Sequence, residues 1–361
     1  MTGILENILF LGFLFSLSIT LVVTPIVIKL AMKFGFVDDP KKHKHPAILH
    51  KQIIPRAGGL AIGVGIISAI LMFVPVNKQI VGIISASILA IIVGVLDDKY
   101  DLNPYIRFLS NFAVAAIVVL CGIGISFITN PLGGVIQLDD LILRFNIFGP
   151  HSIVVFADLF AIIWIVWVMN MLNWSKGVDG QLAGIAGIGF TVLGLTSLRF
   201  SAADPSQTTV ALLSFIAAGA SFGFLPFNWH PAKIFPGYSS TVLGFLIAVL
   251  SIMSGAKVAI AVLVMAVPLL DGGFTIARRL LMKRSPFWGD KGHLHHQLIK
   301  LGWGHRKISL FYWVVCVILG SIALMSSSVE KFFTALLVLT VLIGMILWIN
   351  LTIWSKQEEK D

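Results

Sequence analysis

Apolar runs long enough to cross a bilayer recur along the whole chain, and they limit the folds it can adopt. A membrane-spanning helix needs about 20 consecutive apolar residues. Eleven runs approach or reach this length, at 8–30, 58–74, 80–96, 108–127, 153–172, 182–198, 208–225, 242–253, 258–276, 308–325 and 332–354. Only 12% of the residues are charged, against about 25% in soluble domains. We therefore predict an all-α polytopic membrane protein with about 11 transmembrane helices and one domain over residues 1–361.

Lysine and arginine are distributed unequally between the loops that alternate along these helices. Of 26 such residues, the loops of one side have on or beside them only Lys78, Arg144, Arg199, Lys257 and Lys331. The others lie with the loops 31–57, 97–107, 173–181, 226–241 and 277–307 and with the tail from Ser355. Because membrane proteins retain lysine and arginine on the cytoplasmic face, we predict that these latter loops are cytoplasmic. In the cell membrane, the N-terminus then lies on the outer side and the C-terminus on the cytoplasmic side. The net charge of +9 has this topological cause, and no nucleic-acid partner is expected.

Two adjacent carboxylates, Asp97 and Asp98, end the third run on the predicted cytoplasmic side. Neighbouring acids at the end of an apolar helix repel each other, and a cation or a metal-bound phosphate would relieve the repulsion. The alternative is that both are solvated acids at the water boundary.

A cluster of histidines follows later on the same side. His293, His295 and His296 come soon after Asp290, and such a cluster could bind a metal ion or a phosphate. It could also be a basic loop beside anionic lipid. A one-sided collection of polar residues, with nearly uncharged helices apart from Asp271, favours an enzyme over a transporter.

Oxygen ligands gather where the fifth run ends. Asn170 and Asn173 share a helix face. Together with Asp179 they offer the hard oxygen ligands that Mg²⁺ prefers. Ordinary turn residues after a helix are the alternative. Arg56 precedes the second run and could bind phosphate as a bidentate fork or serve as a topology anchor.

In chain order, these segments resemble the motifs of the polyprenyl-phosphate N-acetylhexosamine-1-phosphate transferases. The matching segments lie between about residues 36 and 303: His50 with Pro55-Arg56-Ala57-Gly58-Gly59, Asp97-Asp98 with Asp101-Leu102 and Pro104, Asn170 to Asn173 with Val178-Asp179-Gly180, Pro231 to Phe235, and Asp290 with His293 to His296. The His-Leu-His-His form and the eleven runs resemble the GlcNAc-1-phosphate branch more than the peptidoglycan branch.

The resemblance implies a reaction at the cytoplasmic face. Polyprenyl phosphate attacks the sugar-linked phosphorus of a UDP-N-acetylhexosamine, GlcNAc being the family default, and UMP leaves. Mg²⁺ would screen the diphosphate. The lipid phosphate has a second pKa near about 6 and is largely dianionic at pH 7. We therefore expect Asp97 to position metal or nucleophile and not to remove a proton.

The resemblance also implies roles for individual residues. The catalytic residues would be Asp97, Asp98, Asp179, His293, His295 and His296. The substrate-binding residues would be His50, Arg56, Asn170, Lys176, Lys233 and Asp290. Asp98, Asn173 and Asp179 would hold Mg²⁺. UDP-sugar, polyprenyl phosphate and membrane lipid are the expected partners. A homodimer is compatible with the fold, although no motif points to one.

Two positions depart from the family pattern. The family's Asp-Gly-x-Asp-Gly motif has Lys176 at its first position here, and its Gly-Asp-x-Gly-Ser motif is replaced by Gly237-Tyr238-Ser239-Ser240. Two negative charges are lost and one positive charge is gained, which is expected to weaken Mg²⁺ binding. Either Lys176 takes over part of the role of Mg²⁺, or the chain is a catalytically silent relative, meaning one that binds polyprenyl phosphate or nucleotide without catalysing transfer. A lipid transporter is a third, less favoured class.

Overall fold

The computed structural model describes residues 2–40, 52–130, 134–146, 150–254, 258–285, 292–326 and 328–358. These parts of the chain are mostly helical. The first helices are α1 (Thr2–Phe34), α2 (Gly58–Phe73), α3 (Lys78–Tyr100) and α4 (Pro104–Leu120). They are followed by α5 (Val155–Trp174), α6 (Gln181–Phe200), α7 (Ser206–Asn228) and α8 (Thr241–Met253). The last are α9 (Val258–Val264), α10 (Ala266–Leu281), α11 (Leu294–Lys300), α12 (His305–Met325) and α13 (Ser328–Glu358).

In the described parts of the chain, three short antiparallel strand pairs lie in two of the loops. β1 (Val37–Asp38) pairs with β2 (Ile54–Pro55) before α2. Between α4 and α5, β3 (Phe127–Thr129) pairs with β4 (Val135–Gln137), and β5 (Ile142–Asn146) pairs with β6 (Pro150–Val154). The helical prediction therefore holds for the bundle, and these small hairpins are additions to it.

Each of the eleven apolar runs overlaps a helix, but the number of spans is a separate matter. Among the described residues, 6 helices are long and apolar enough to cross a membrane. A seventh is possible by length if α9 and α10, which are bent by 82° to each other, form one span. Helices α2, α4 and α8 are apolar but shorter. The structure thus supports a multi-pass protein with six or seven such helices, and the expected eleven are not established by length and apolarity.

Helix α8 lies at the centre of the bundle. All residues from Thr241 to Ile252 are buried, and a helix that is apolar on every side requires partners on every side. It packs against α3, α5, α6, α7 and α9. Outside this centre, α1 packs along α7 and α2, and α12 packs along α6.

Local sequence signals determine where α3 and α4 meet. The side chain of Asn77 caps α3 by accepting a hydrogen bond from the Ile80 amide at 2.9 Å. Helix α3 ends at Tyr100, and the residue after it, Asp101, has the left-handed φ of 48° that aspartate tolerates better than most residues. Helix α4 begins at Pro104, in the first-turn position that suits proline. The chain therefore turns immediately after Asp97 and Asp98.

Candidate active site

A tight turn formed by residues 236–240, here called the Gly237 turn, is built into the ends of α2 and α3. The Gly58 and Gly59 amides donate hydrogen bonds to the carbonyls of Phe235 and Pro236 at 3.1 and 2.9 Å. A Cβ atom on Gly59 or Gly94 would collide with the backbone of Ser239. Glycine at both positions therefore allows the turn to approach α2 and α3 closely.

Asp98 is buried against the Gly237 turn. Its Oδ1 accepts a hydrogen bond from the Tyr238 amide at 2.7 Å. Its Oδ2 accepts from Ser239 Oγ at 3.0 Å and from the Ser239 amide at 3.4 Å. Arg56 Nε lies 3.7 Å from Oδ1. Both carboxylate oxygens of Asp98 are thus engaged, and its charge faces the guanidinium of Arg56.

Asp97 is directed toward the start of α4. Its Oδ1 lies 3.0 Å from Arg107 Nε and accepts a hydrogen bond from the Leu102 amide at 3.1 Å. Arg107 also pairs with the exposed Asp101 at 3.1 Å. The other oxygen of Asp97, Oδ2, is buried and has no hydrogen-bond partner among the described residues. Asp97 therefore orients Arg107 and retains one oxygen that can accept a donor.

Lys176 reaches the same region from the loop between α5 and α6. Its Nζ donates a hydrogen bond to the Gly237 carbonyl at 2.8 Å and lies 5.6 Å from the ring centroid of Tyr238. Burial lowers the pKa of Lys176 to about 8, although the charge of Asp98 opposes the shift. The lysine is therefore mostly protonated at pH 7, and it adds a third cation to Arg56 and Arg107.

The histidine segment packs on the residue that follows Lys176. A Cβ atom on Gly177 would overlap the ring of His295, and the rings of His293 and His295 are stacked with centroids 5.6 Å apart. Burial, reinforced by His296 and His293, holds the pKa of His295 well below its ordinary value. The ring of His295 is therefore neutral at pH 7.

Asp271 of α10 anchors this segment. It is buried, its Oδ2 lies 3.0 Å from His293 Nδ1, and its Oδ1 accepts a hydrogen bond from the Leu294 amide at 2.7 Å. A carboxylate beside Nδ1 favours the tautomer with the proton on Nδ1, which leaves Nε2 as the nitrogen that accepts hydrogen bonds. Asp271 thus orients His293 and caps the N-terminus of α11 through the Leu294 amide.

The side chain of Asp179 is directed to a different set of partners. Its Oδ2 lies 2.6 Å from His230 Nδ1 and 3.5 Å from His305 Nδ1, and the Ala232 amide donates to it at 3.3 Å. Burial acts to raise the pKa of Asp179, but the hydrogen bonds from His305 and His230 outweigh burial and hold the pKa below its usual range. Asp179 is therefore ionised, accepts a hydrogen bond from His230, and lies beside the ring of His305.

The remaining predicted site residues lie in different surroundings. Asn170 donates to the Val166 carbonyl of its own helix at 2.7 Å. Asn173 Oδ1 is buried and has no hydrogen-bond partner among the described residues. Lys233 is exposed, and its backbone amide donates to the Phe227 carbonyl at 2.8 Å. His50 and Asp290 lie outside the described residues.

The loop from 175 to 180 connects these groups. Lys176 faces the Gly237 turn and the paired acids, Gly177 contacts His295, and Asp179 faces His230 and His305. Sequence reasoning had not assigned Arg107, His230 or His305 to the site. An arginine ten positions after Asp97 gives no signal by itself, because a boundary arginine is common. Asp271 did give a signal, as a carboxylate in an apolar helix.

Of the three predicted Mg²⁺ ligands, Asp98 and Asp179 are engaged by protein groups, while Asn173 Oδ1 has no hydrogen-bond partner among the described residues. Asp98 has both oxygens engaged, and Asp179 faces two histidines. Among the described His, Cys, Asp and Glu residues, Asp179, His230 and His305 form the group whose ligand atoms lie within 4.8 Å of one another. One carboxylate with two imidazoles suits a transition metal better than Mg²⁺, which prefers oxygen ligands.

Asn228 holds the loop that carries His230 against the loop that carries Asp179. It is buried, accepts a hydrogen bond from the Gly180 amide at 3.0 Å and donates to the Ile234 carbonyl at 2.9 Å. We expect Asn228→Ala to lower stability by about 2 kcal/mol, because two buried backbone groups lose partners. Thermal unfolding in detergent checks this. The control is Asn103→Ala, which removes one exposed helix cap at the Tyr105 amide. An equal loss of stability in both variants would contradict the proposed role of Asn228 in holding the two loops together.

Comparison with known proteins identifies the family. Residues 80–255 match the model of Glycosyl transferase family 4. A "Probable undecaprenyl-phosphate N-acetylglucosaminyl 1-phosphate transferase" of Bacillus subtilis is 31% identical over 92% of this chain and 89% of its own length. The "Decaprenyl-phosphate N-acetylglucosaminephosphotransferase" of Mycolicibacterium smegmatis is 30% identical over 81% of this chain and 76% of its own. The "Undecaprenyl-phosphate alpha-N-acetylglucosaminyl 1-phosphate transferase" of Escherichia coli K12 is 28% identical over 82% and 78%. With this extent of similarity, and with the paired acids and the histidine segment joined by one loop, the chain belongs to glycosyl transferase family 4.

Proposed function

We propose that this protein is a membrane enzyme that transfers N-acetylhexosamine-1-phosphate, with GlcNAc as the expected sugar, from a UDP-sugar to polyprenyl phosphate. The products are polyprenyl-diphosphate-sugar and UMP. The names of the relatives from Bacillus, Mycolicibacterium and Escherichia support the acceptor and the transferred group. This reaction would be the first membrane step in making a cell-envelope polysaccharide.

The observation that carries the proposal is the convergence of three cations on the paired acids at the end of α3. Arg56 faces Asp98 at 3.7 Å, Arg107 faces Asp97 at 3.0 Å, and Lys176 is held by the Gly237 carbonyl at 2.8 Å. Both substrates carry phosphate, and arginine and lysine are the side chains that bind phosphate oxygens. A site with this charge at the end of an apolar helix suits a lipid-borne phosphate that meets a soluble nucleotide.

Each residue then has a role in positioning or charge. Arg56, Arg107 and Lys176 bind phosphate oxygens, and Asp97 and Asp98 hold these cations in place. An oxygen of the lipid phosphate forms a bond to the phosphorus that carries the sugar. The bond from that phosphorus to the oxygen of the UMP phosphate breaks, and UMP leaves with the electron pair. No proton transfer is required, because the lipid phosphate is largely dianionic at pH 7.

The histidine segment completes the phosphate site in this proposal. Neutral His295 donates a hydrogen bond from a ring nitrogen to a phosphate oxygen, and Asp271 fixes the orientation of the neighbouring His293 ring. Asp179 positions His230 and His305 and does not act on the substrate directly. We place these groups on the cytoplasmic face, because lysine and arginine are concentrated in the loops of that side.

The same charge asymmetry supports a cell-membrane location with the N-terminus outside and the C-terminus inside. If the shorter helices α2, α4 and α8, the bent α9–α10 pair and α13 all cross, the span count is the eleven that the sequence predicts. Labelling of single introduced cysteines from each side of the membrane tests this arrangement. A homodimer is a further prediction, and mass measurement in detergent tests it.

The function is tested by transfer of radiolabelled sugar-phosphate from UDP-GlcNAc, and from other UDP-N-acetylhexosamines, to polyprenyl phosphate with the purified protein. We expect a lipid-diphosphate product and stoichiometric UMP. Binding of polyprenyl phosphate without product from any UDP-sugar would favour the silent relative, for which the two departures at Lys176 and Tyr238 are the supporting observation. Absence of both product and lipid binding would overturn the family-based function.

A further inference from the structure

The two residues at which this chain departs from the acidic pattern of its family, Lys176 and Tyr238, lie together in the structure. Lys176 Nζ lies 5.6 Å from the Tyr238 ring centroid and is bonded at 2.8 Å to the carbonyl of the preceding residue, Gly237. We propose that Lys176 is a fixed cation that takes the place of a divalent metal, binding the substrate diphosphate so that transfer does not require Mg²⁺. This inference rests on the proposed function.

The charge around the paired acids is already balanced by side chains. Arg56 and Arg107 each face one of the acids, and Lys176 adds a third positive charge. Asp98 accepts hydrogen bonds on both oxygens from Tyr238 and Ser239. A divalent ion at this place would meet three cations and two carboxylates, of which Asp98 has both oxygens engaged and Asp97 has one oxygen without a partner among the described residues. The three positive charges exceed the two negative ones, and like charges at short range in a buried site repel strongly. The site is therefore built for an anion.

Lys176 has the geometry of a phosphate-binding group. An ammonium has three N–H donors, and the Gly237 carbonyl takes one of them. The aromatic face of Tyr238 holds the charge from one side without using a donor. Among the contacts of the described residues, the remaining donors of Lys176 have no protein acceptor at hydrogen-bond distance. They are the groups that phosphate oxygens would take, as lysine does in other phosphate sites.

Tyr238 contributes to this arrangement through contacts of its own, in addition to removing a carboxylate. The guanidinium of Arg107 lies 5.7 Å from the ring centroid of Tyr238, so the ring has cationic groups of two residues around it. Its hydroxyl donates toward the Arg107 carbonyl at 3.3 Å, and its amide donates to Asp98. The negative face of an aromatic ring attracts cations. The two departures thus form one unit that collects positive charge.

In the transfer step, the bond between the UMP phosphate and the sugar-linked phosphorus breaks, and negative charge develops on the UMP oxygen. Lys176 neutralises that charge in this inference, with the same bonds formed and broken as above and no proton moved. In this role Lys176 acts on the charge of the substrate, and not only on the charges of neighbouring protein side chains. Removal of the ammonium should therefore affect turnover more than folding.

The test combines metal dependence of transfer with direct metal binding. With EDTA present, the wild-type protein is expected to retain transfer within about twofold, and Lys176→Met is expected to lose at least about 100-fold. Lys176→Arg should retain EDTA-resistant transfer, because it keeps the charge. Lys99→Met is the matched control, since Lys99 adjoins the acids but is exposed and lies over Phe36 and Tyr100; its transfer should be unchanged.

Metal binding is read by electron paramagnetic resonance with Mn²⁺ alone. The double variant Lys176→Asp with Tyr238→Asp should bind one more Mn²⁺ than the wild-type protein, whether or not it turns over. Wild-type transfer that falls more than about tenfold in EDTA and returns with Mg²⁺ would overturn the inference and leave the function standing. A double variant that folds and gains no Mn²⁺ would also overturn it. No transfer from any UDP-sugar would remove the proposed function itself.

Discussion

Asp98→Asn is expected to reduce sugar-phosphate transfer by at least about 100-fold, because a small displacement of positioning groups has effects of that size. Asp98 accepts from Tyr238 and Ser239, and these bonds set the position of the Gly237 carbonyl that holds Lys176. Asparagine presents an N–H₂ group to one set of these donors and no charge to Arg56. The substitution therefore disturbs two of the three cations together.

The same variant should lose stability as well. The side chain of Asp98 is 0% exposed, and breaking a buried ion pair costs about 3–5 kcal/mol. Transfer is therefore measured at a temperature where thermal unfolding shows the variant to be folded. Asp101→Asn is the matched control: Asp101 also pairs with a cation of the site, Arg107, but its side chain is 62% exposed. Its transfer should stay within about twofold. Wild-type transfer in folded Asp98→Asn would leave Asp98 with a structural role alone.

The second large effect is a loss of transfer at alkaline pH. Burial lowers the pKa of Lys176 to about 8. The ammonium is present below that pH and is lost above it, so kcat/KM for transfer, which reports the pKa of the free enzyme, should fall about tenfold per pH unit above pH 8. Between pH 8 and pH 10 the expected loss is about 100-fold.

The groups around Lys176 allow the fall in transfer at alkaline pH, here called the alkaline limb, to be assigned to a single residue. Arginine side chains are not deprotonated in this pH range, and carboxylic acids have no further proton to lose at high pH. Lys176→Arg should abolish the alkaline limb, since arginine is not deprotonated in this range. Tyr238→Phe tests the remaining hydroxyl and should keep the limb. The same limb in Lys176→Arg would assign it to a different group.

The general form of the protein could be inferred from local sequence because local physics produces it. Apolar length predicts helices wherever the backbone must satisfy its own hydrogen bonds in lipid, and each predicted run does overlap a helix. Two acids at the end of such a run indicate a site for the same reason, since charge is costly there. The number of spans did not follow, because helix length, bending and tilt depend on neighbouring helices.

The candidate site shows the same division at the level of single residues. The motifs indicated Asp97, Asp98, Asp179 and the three histidines as a group. In the structure Asp179 turns to His230 and His305, while the paired acids turn to Arg56 and Arg107. Except for Arg107, those partners come from distant parts of the chain, and which carboxylate meets which cation depends on how α3, α7 and α12 pack.

The amino-acid sequence alone determined that this is a helical membrane protein of glycosyl transferase family 4 type, and its resemblance to the family motifs predicts that Lys176 and Tyr238 stand at acidic positions. Only the tertiary structure decided that these two residues form one unit, with Lys176 bonded to a carbonyl 61 positions away. The physical reason is that hydrophobic length and helix caps act within a few residues of the chain. The charge balance of a buried site is instead the sum over every segment that packing brings to it.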